Sequence, residues 1–440
     1  MDTSFYPILM FVVLFLGLVW GIHIGFVLAA VPLGFALFLW GPQGMMTYVQ
    51  AAWGAMNNFA LTAIPLFIFM AVLLEKSGIV EDLYLAFYKW SGPLRGGLAV
   101  ATVVVGAIVG AVSGVVAAGV IGLGLIALPR MEQYKYDRGI NMGSVLVAGT
   151  LGQLIPPSLV MVIYGAVTNL SVGKLFACGV SSGILLTVIF CAYILIRAWV
   201  NPALCPALPK DQRASWEEKF AALKAVILPA LLIMSCMGAI FSGAATPTEG
   251  AAFGALGAII FAVLTGRFQW KTFQESCFIT LKVTSMVAWM IAGASCFGAV
   301  FAGIGGNQVV MDFALAMPGG KYGVLALSIG FVFFLGMFLE TSALILMAAP
   351  IVTPMLIKLG FEPLWWGTIF MVLLQTAYIS PPFGMSMFYL KGVTPPDISL
   401  EDIFKVTPIW IGLQLIGILL IIFFPEVGLW GSRLFYGTWD

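Results

Sequence analysis

The residues of this sequence that could bind an ion or a small anion are hydroxyl groups and one carboxylate set in long apolar stretches. Ser113-Gly114 interrupts a run rich in Ala and Gly, and Glu340-Thr341-Ser342 interrupts a second apolar run. A sodium ion is a hard cation that takes several oxygen ligands, and hydroxyls and unwound backbone carbonyls supply them without adding a buried charge. Inside a membrane span, carbonyls are freed in this way where the helix is interrupted.

Two proline pairs predict such interruptions. Residues 151–165 read LGQLIPPSLVMVIYG, and residues 378–392 read YISPPFGMSMFYLKG. Proline lacks the backbone donor and clashes with the preceding turn, so a pair of prolines breaks a helix. At membrane depth the freed backbone groups are tolerated only where they line a cavity or hold an ion. We therefore predict that each proline pair lies in a broken membrane helix at a binding site.

The composition requires a membrane protein. Of the 440 residues 61% are apolar and 9% are charged, and the mean hydropathy is +1.07, which excludes soluble globular and disordered chains. Apolar runs of about 20 residues predict helical spans and an all-α polytopic fold. A net charge of +1 without a basic tail argues against a nucleic-acid partner. We interpret the six widely spaced cysteines as packing residues, and the single histidine, His23, as a packing or interfacial residue.

The first half, residues 1–200, is expected to contain a re-entrant hairpin and a broken helix. The apolar stretch at about 96–129 has basic residues at both ends, which predicts that both ends are cytoplasmic. We therefore expect this stretch to enter the membrane and return without crossing it, with its tip at Ser113-Gly114. The broken helix is predicted at about 139–168, and the half is expected to cross the membrane an odd number of times.

The second half, residues 219–425, repeats this order. Its hairpin is predicted at about 322–354 and its broken helix at about 364–392. The most polar connection, residues 201–218, separates the halves and is expected in the cytoplasm. Residues 426–440 are expected to form a C-terminal tail.

The ends of the chain are both predicted to be periplasmic. Lys76 is the first basic residue, so the N-terminal apolar run lacks the basic region of a signal peptide and should stay in the mature protein. Residues 44–58 are mixed in character, and we expect them to lie along the membrane interface. Thr246-Pro247-Thr248-Glu249 is typical of a helix capping box, and we interpret it as structural.

The spacing of the prolines indicates an internal repeat. Pro129 precedes Pro156 by 27 residues, and Pro354 precedes Pro381 by 27 residues. An S-x4-F sequence follows each proline pair. Because each half crosses the membrane an odd number of times, the second copy should be inverted relative to the first. Inverted repeats with interrupted helices in matching positions are typical of secondary transporters, whose binding site lies near the midplane.

The predicted sites lie at the two hairpin tips and the two breaks. The predicted metal ligands are Ser113, Gly114, Gly152, Ile155, Pro156, Glu340, Thr341, Ser342, Thr376, Ser380, Pro381 and Gly384. The predicted substrate-binding residues are Ser113, Gly114, Ser158, Thr341 and Ser342. The amino ends of half-helices attract an anionic group such as a carboxylate.

Several alternatives stay open. Ser113-Gly114 could serve close helix packing, and Glu340 could form a structural hydrogen bond or carry a proton in place of a coupled sodium ion. A membrane-embedded enzyme is less favoured, because no HExxH is present and acids within spans are few. A passive channel is less favoured as well, because an inverted repeat gives two alternate accesses to one site. The sequence contains no P-loop, the phosphate-binding motif that transport driven directly by ATP would need.

The motifs resemble those of a known family, the large membrane subunit of tripartite ATP-independent periplasmic (TRAP) transporters. The resemblance spans nearly the whole chain. The motifs that carry it are SGVVAAG (113–119), LPRMEQYKYD (128–137), LGQLIPPS (151–158), GAATPTEGAA (243–252), FLETSALILMAAPIVTP (338–354) and SPPFG (380–384).

The resemblance implies an elevator-type transporter of the bacterial inner membrane and no enzymatic activity. Such a subunit takes an organic acid, for example a C4-dicarboxylate, a 2-oxo acid or sialic acid, from a soluble periplasmic binding protein, and an inward sodium gradient drives import. It also implies a small four-helix membrane subunit, which we expect to be a separate chain. The ion sites implied by the motifs fall at the same tips and breaks.

Overall fold

The computed structural model describes residues 5–113 and 116–437, and within these residues the chain forms helices and no strand. The helices of the first half are α1 Phe5–Val19, α2 Ile24–Trp40, α3 Gly44–Met56, α4 Ala63–Lys76, α5 Ile79–Ser91, α6 Gly97–Ser113, α7 Val116–Gln133, α8 Arg138–Leu151, α9 Leu159–Thr168 and α10 Val172–Val200. Those of the second half are α11 Trp216–Phe241, α12 Pro247–Leu264, α13 Trp270–Gly303, α14 Gly306–Leu315, α15 Gly320–Gly336, α16 Thr341–Lys358, α17 Pro363–Tyr378, α18 Met385–Lys391, α19 Leu400–Phe423 and α20 Pro425–Tyr436.

The predicted all-α membrane fold is confirmed. Seven helical runs in the described part of the chain are long and apolar enough to cross a membrane, and two bent helix pairs would raise the number to nine. Polar caps begin several of the helices. The predicted capping box is present: Thr246 accepts from the Glu249 backbone N–H, and Glu249 accepts from the Thr246 backbone N–H. A second box formed by Ser215 and Glu218 begins α11.

The residues expected at the interface belong instead to a longer helical run. Helix α3 follows α2 through a short turn, so that Ile24–Met56 form one run of 33 residues. Helix α3 packs along α13. With 34 residues α13 is roughly 51 Å long, well beyond a bilayer core of about 30 Å, so it offers a packing partner for the mixed side chains of α3.

The expected C-terminal tail is also structured. Residues 425–436 form helix α20, which begins with proline and packs against α10. The Gly431 backbone N–H donates to Ser181 Oγ at 2.8 Å. A Cβ built on Gly431 would lie 2.3 Å from the Ala177 carbonyl oxygen, so only glycine allows this close approach. This segment is therefore a twelve-residue amphipathic helix whose small buried residues pack against α10.

The helices pack in two groups. The first helix group contains α1–α4 and α11–α13, and the second contains α6–α10 and α15–α20. Helices α5 and α14 link the two groups along the chain. Direct contacts between the groups are fewer and come mainly from α4 against α6 and α9 and from α13 against α16.

The second group contains two sets of matching elements. Helices α6 and α7 contact each other at the first predicted hairpin, and α15 and α16 do so at the second. Their re-entrant path stays a prediction. Helices α8 and α9 are separated by residues 152–158, and α17 and α18 by residues 379–384, so each proline pair does interrupt a helix. Both proline–proline peptide bonds are cis.

Candidate functional site

The first break is enclosed by protein. Gly152, Gln153, Pro156 and Ser158 are all buried, and the Ser158 hydroxyl donates to the Gln153 carbonyl oxygen across the break. Because the hydroxyl satisfies that carbonyl, the break is held by its own side chain as well as by its surroundings. The N-cap position of α9 is Ser158, and its side chain makes no capping bond to the first amides of that helix.

Small residues let neighbouring helices close over this break. A Cβ built on Gly152 would lie 2.9 Å from the Cα of Gly110 in α6. On the other side, a Cβ on Gly179 of α10 would lie 2.5 Å from the Leu154 carbonyl oxygen. A substitution at either position must displace backbone, so α6, α10 and the break form one tightly packed unit.

The second break is held differently and is partly exposed. The Ser380 hydroxyl donates to the Thr376 carbonyl at 2.8 Å, and the Gly384 backbone N–H donates to the Ser380 carbonyl at 3.0 Å. Pro382 and Phe383 at its tip are exposed. The two breaks therefore match in sequence but differ in their access to the surroundings.

The tip of the second hairpin is capped by a carboxylate. Glu340 accepts from the backbone N–H groups of Ser342 and Ala343 at 2.9 and 3.3 Å, and from the Ser342 hydroxyl at 3.2 Å. Glu340 therefore forms a structural hydrogen bond, which was one of the alternatives that the sequence left open. Because this carboxylate already compensates the positive end of α16, that helix end attracts a second anion less than an uncapped one would. Glu340 is nevertheless exposed.

Two glutamines join the halves at the breaks. Gln153 Nε2 donates to Thr341 Oγ1 at 3.1 Å, which ties the first break to the tip of the second hairpin. Gln375 Nε2 in α17 donates to Thr150 Oγ1 at 3.2 Å, one residue before the end of α8. The Oε1 atoms of both glutamines are buried without a hydrogen-bond partner. Such orphaned oxygens need a partner and could accept from a ligand or bind a cation.

Residues 11–427 match the sequence profile of a family described as the tripartite ATP-independent periplasmic transporter, DctM component. The chain belongs to this family. The resemblance drawn from the motifs is therefore confirmed, and the chain is a permease component of a transporter and not an enzyme. With its apolar helical runs, this DctM component is a multi-pass membrane protein.

Curated relatives match this DctM component along nearly its full length. The C4-dicarboxylate TRAP transporter large permease protein DctM of Vibrio cholerae is 30% identical, over 94% of this chain and 96% of that protein. The protein of the same name from Pseudomonas aeruginosa is 32% identical, over 89% and 91%. The sialic acid TRAP transporter large permease protein SiaM of Vibrio cholerae is 30% identical, over 95% and 96%.

Solved structures share the fold. The Alcanivorax borkumensis YdaH transporter superposes with a TM-score of 0.66 at 15% identity, covering 88% of this chain and 89% of its own. Neisseria gonorrhoeae MtrF superposes with a TM-score of 0.61 at 15% identity, covering 88% and 85%. At this identity the likeness concerns the fold alone.

The structure of this DctM component brings some predicted site residues together. Thr341 and Ser342 lie beside the first break, through Gln153, and Thr376, Ser380 and Gly384 form the second break. Gly114 and the side chain of Ser113 lie outside the described residues. No cluster of three or more His, Cys, Asp or Glu side chains suited to a metal was found in the part of the chain that the structure describes.

Sequence reasoning missed Thr150, Gln153 and Gln375. The available signal was their polarity, because a polar side chain inside an apolar span is costly and therefore commonly functional. Gln153 stands inside the motif LGQLIPPS itself, and Gln375 stands in the otherwise apolar run of α17.

Proposed function

We propose that this DctM component is the large permease of a sodium-coupled, binding-protein-dependent secondary transporter that imports an organic acid across the inner membrane. The second helix group would move as an elevator against the first and carry the acid from periplasm to cytoplasm. The observation that carries the proposal is the pair of glutamine–threonine hydrogen bonds, which brings the interrupted helices of both halves to one place.

The repeat supports an inverted architecture. Pro156 and Pro381 are 225 residues apart, and so are Thr150 and Gln375. Two equivalent residues can touch only close to the axis that relates the two halves, and Thr150 and Gln375 share a hydrogen bond. Inverted repeats with interrupted helices place their binding site at such an axis near the midplane. In this proposal residues 1–200 and 219–425 are the two repeats.

The difference between the breaks supports alternating access. The first break is buried, whereas Pro382 and Phe383 of the second are exposed. In alternating access the binding site is open to one side of the membrane at a time, so the two halves have different surroundings in any one state. We propose that the exposed second break marks the open side.

Sodium is favoured over a proton by the chemistry of the oxygens. Apart from Glu340, the predicted ligands offer hydroxyls and backbone carbonyls, which suit a hard cation. Within the described residues they are Gly152, Ile155, Pro156, Thr341, Ser342, Thr376, Ser380, Pro381 and Gly384. The Thr376 and Ser380 hydroxyls donate into their own helix and keep lone pairs for an ion. Glu340 holds three donors, so its carboxylate serves as a cap in the proposed cycle and not as the proton carrier.

The carboxylate of the substrate would lie at the amino end of α9. The first amides of this helix have no side-chain cap from Ser158, so they can attract an anion. Relatives are named for C4-dicarboxylates, sialic acid and ectoine, and we propose a substrate from the wider class of organic acids. The partners would be a small four-helix membrane subunit and a soluble periplasmic binding protein, with both chain ends periplasmic.

Uptake into proteoliposomes tests this function. Vesicles containing this chain, its small subunit and its binding protein would be given labelled succinate, pyruvate, sialic acid or ectoine, with or without an inward sodium gradient at fixed pH. We expect uptake of at least one compound that needs both sodium and the binding protein, and that Thr376→Val and Ser380→Ala weaken its sodium dependence. Uptake driven by a pH gradient and indifferent to sodium would contradict the proposal.

A further inference from the structure

An apolar cavity of about 550 Å³ lies at the seam between the two helix groups. Its walls come from α1 of the first group, from the linking helix α14, and from α15 and α16 of the second hairpin. Among the lining residues the single hydroxyl is that of Ser328, and it donates to the Val324 carbonyl of its own helix at 2.8 Å. The cavity therefore offers a ligand no free donor.

The chemistry of the cavity limits its occupant. Its lining is apolar and offers no free hydrogen-bonding donor, so the part of a ligand that lies in it must be apolar. An empty void of this size would deprive its lining of dispersion contacts. A narrow, flexible, apolar ligand fits best, and in a bilayer this is an acyl chain.

Two lysines stand at one end of the cavity. Lys321 precedes the lining residue Val324 by three positions on α15, and Lys358 follows the lining residue Met355 by three positions on α16. Residues three apart share a helix face. Because α15 begins at the end of the hairpin where α16 finishes, both lysines lie at that end, one helical turn beyond the lining residues Val324 and Met355.

No acidic side chain pairs with these two lysines in the described part of the chain. Both lysines are exposed. The Lys321 ammonium lies over the rings of Tyr322 and Phe361, 5.3 and 5.6 Å from their centroids. Two ammonium groups beside an apolar cavity are complementary to a phosphate attached to an acyl chain.

We propose that this cavity binds one acyl chain of an anionic phospholipid, whose phosphate is held by Lys321 and Lys358. The lipid fills the seam between α1 and the second hairpin. The site rests on the cavity and the lysines and does not depend on the proposed transport cycle. In that cycle, the acyl chain would keep the seam filled while the second helix group moves.

Retention of phospholipid by the purified full chain tests the site. The chain would be incubated with palmitoyl-oleoyl phosphatidylglycerol in mild detergent, and bound lipid counted by native mass spectrometry. Val12 lines the cavity from α1 and is 46% exposed, so Val12→Phe should fill the cavity without unfolding the chain. We expect it to lower retention of the tightest-bound lipid at least fivefold. The double variant Lys321→Gln, Lys358→Gln should lower it about tenfold.

Matched controls separate this site from general lipid binding. Val19→Phe makes the same change on α1 outside the lining, where the side chain is 70% exposed, and should retain the lipid. Lys271→Gln with Lys282→Gln removes the same charge from α13 and should also retain it. If Val12→Phe lowers the melting temperature, Leu327→Phe enlarges a lining side chain of the same cavity from α15, where the parent side chain is 42% exposed.

Three results would overturn the proposal. Equal retention in all variants would place the lipid elsewhere. If only the lysine variant loses the lipid, the headgroup binds at the surface and no acyl chain occupies the cavity. If only Val12→Phe loses the lipid, an acyl chain occupies the cavity but the lysines do not bind its phosphate. Sodium-driven uptake is measured separately, so failure of the lipid site and failure of the proposed function are distinguishable.

Discussion

Gln375 donates a hydrogen bond from Nε2 to Thr150 Oγ1 at 3.2 Å, and these residues hold equivalent positions in the two halves of the chain. The bond lies one residue before the end of α8 and joins it to α17. It therefore fixes the two interrupted helices relative to each other at the level where both lose their regular hydrogen bonding.

Separating this pair should destabilise the fold non-additively. Thr150→Val leaves the buried Gln375 amide without an acceptor, which costs about 1–3 kcal/mol of unfolding free energy. Gln375→Leu should cost a similar amount. We expect the double variant to be more stable than the sum of the single losses predicts, by about 1 kcal/mol, because both polar groups are then absent.

Thermal unfolding of the three variants in detergent measures this coupling. Thr280→Val is the control, because the buried Thr280 hydroxyl donates to the Ser276 carbonyl of its own helix. Strictly additive losses would show that the bond does not hold the two helices together.

Substitutions of Glu340 should distinguish a role as a helix cap from a role as a proton carrier. Glu340→Gln keeps an oxygen that can accept from the amides of Ser342 and Ala343, so uptake should persist with an unchanged pH dependence. Glu340→Ala removes the cap and should lower stability by about 1 kcal/mol. Sodium-driven uptake and melting temperature, recorded from pH 6 to pH 8, test both statements. Loss of all uptake in Glu340→Gln with normal folding would instead indicate an essential proton.

Adding one methyl group at Gly152 should impair the site. A Cβ at this position would lie 2.9 Å from the Cα of Gly110, so the first break or α6 must shift. We expect Gly152→Ala to lower stability by about 1–3 kcal/mol and to lower uptake. Gly34→Ala is the matched control, since a Cβ at Gly34 meets nothing within 4 Å. Equal uptake in both variants would contradict the tight packing of this break.

Two cysteines should differ strongly in reactivity. Cys205 lies in the connection after α10 and is fully buried, and burial raises the pKa of its thiol to about 12. Because the thiolate is the reactive form, Cys205 should stay unmodified by N-ethylmaleimide between pH 7 and pH 9. Cys277 is exposed and should react.

Mass spectrometry of single-cysteine variants provides the measurement. Labelling of Cys205 should begin only as the chain unfolds, and its rate should follow the unfolding temperature. Rapid labelling of Cys205 in the folded protein would show that the connection opens readily.

The local features of this protein could be predicted from its sequence. The two helix breaks follow from prolines that lack a backbone donor, and the cap at Thr246 follows from side chains three residues apart. The all-α fold follows from the length of the apolar runs, because the bilayer core offers no hydrogen-bond partner to backbone groups outside a helix. Each of these effects acts within a few residues, so the sequence by itself was sufficient.

Contacts between distant residues were decided by the tertiary structure. The sequence did not indicate that Gln153 would reach Thr341, that Gln375 would reach Thr150, or that the first break would be buried while the second is exposed. It also missed the docking of α20 on α10, which depends on a close approach at Gly431. These features depend on which helix faces pack together, and that choice is made by the shape and polarity of surfaces far apart in the chain.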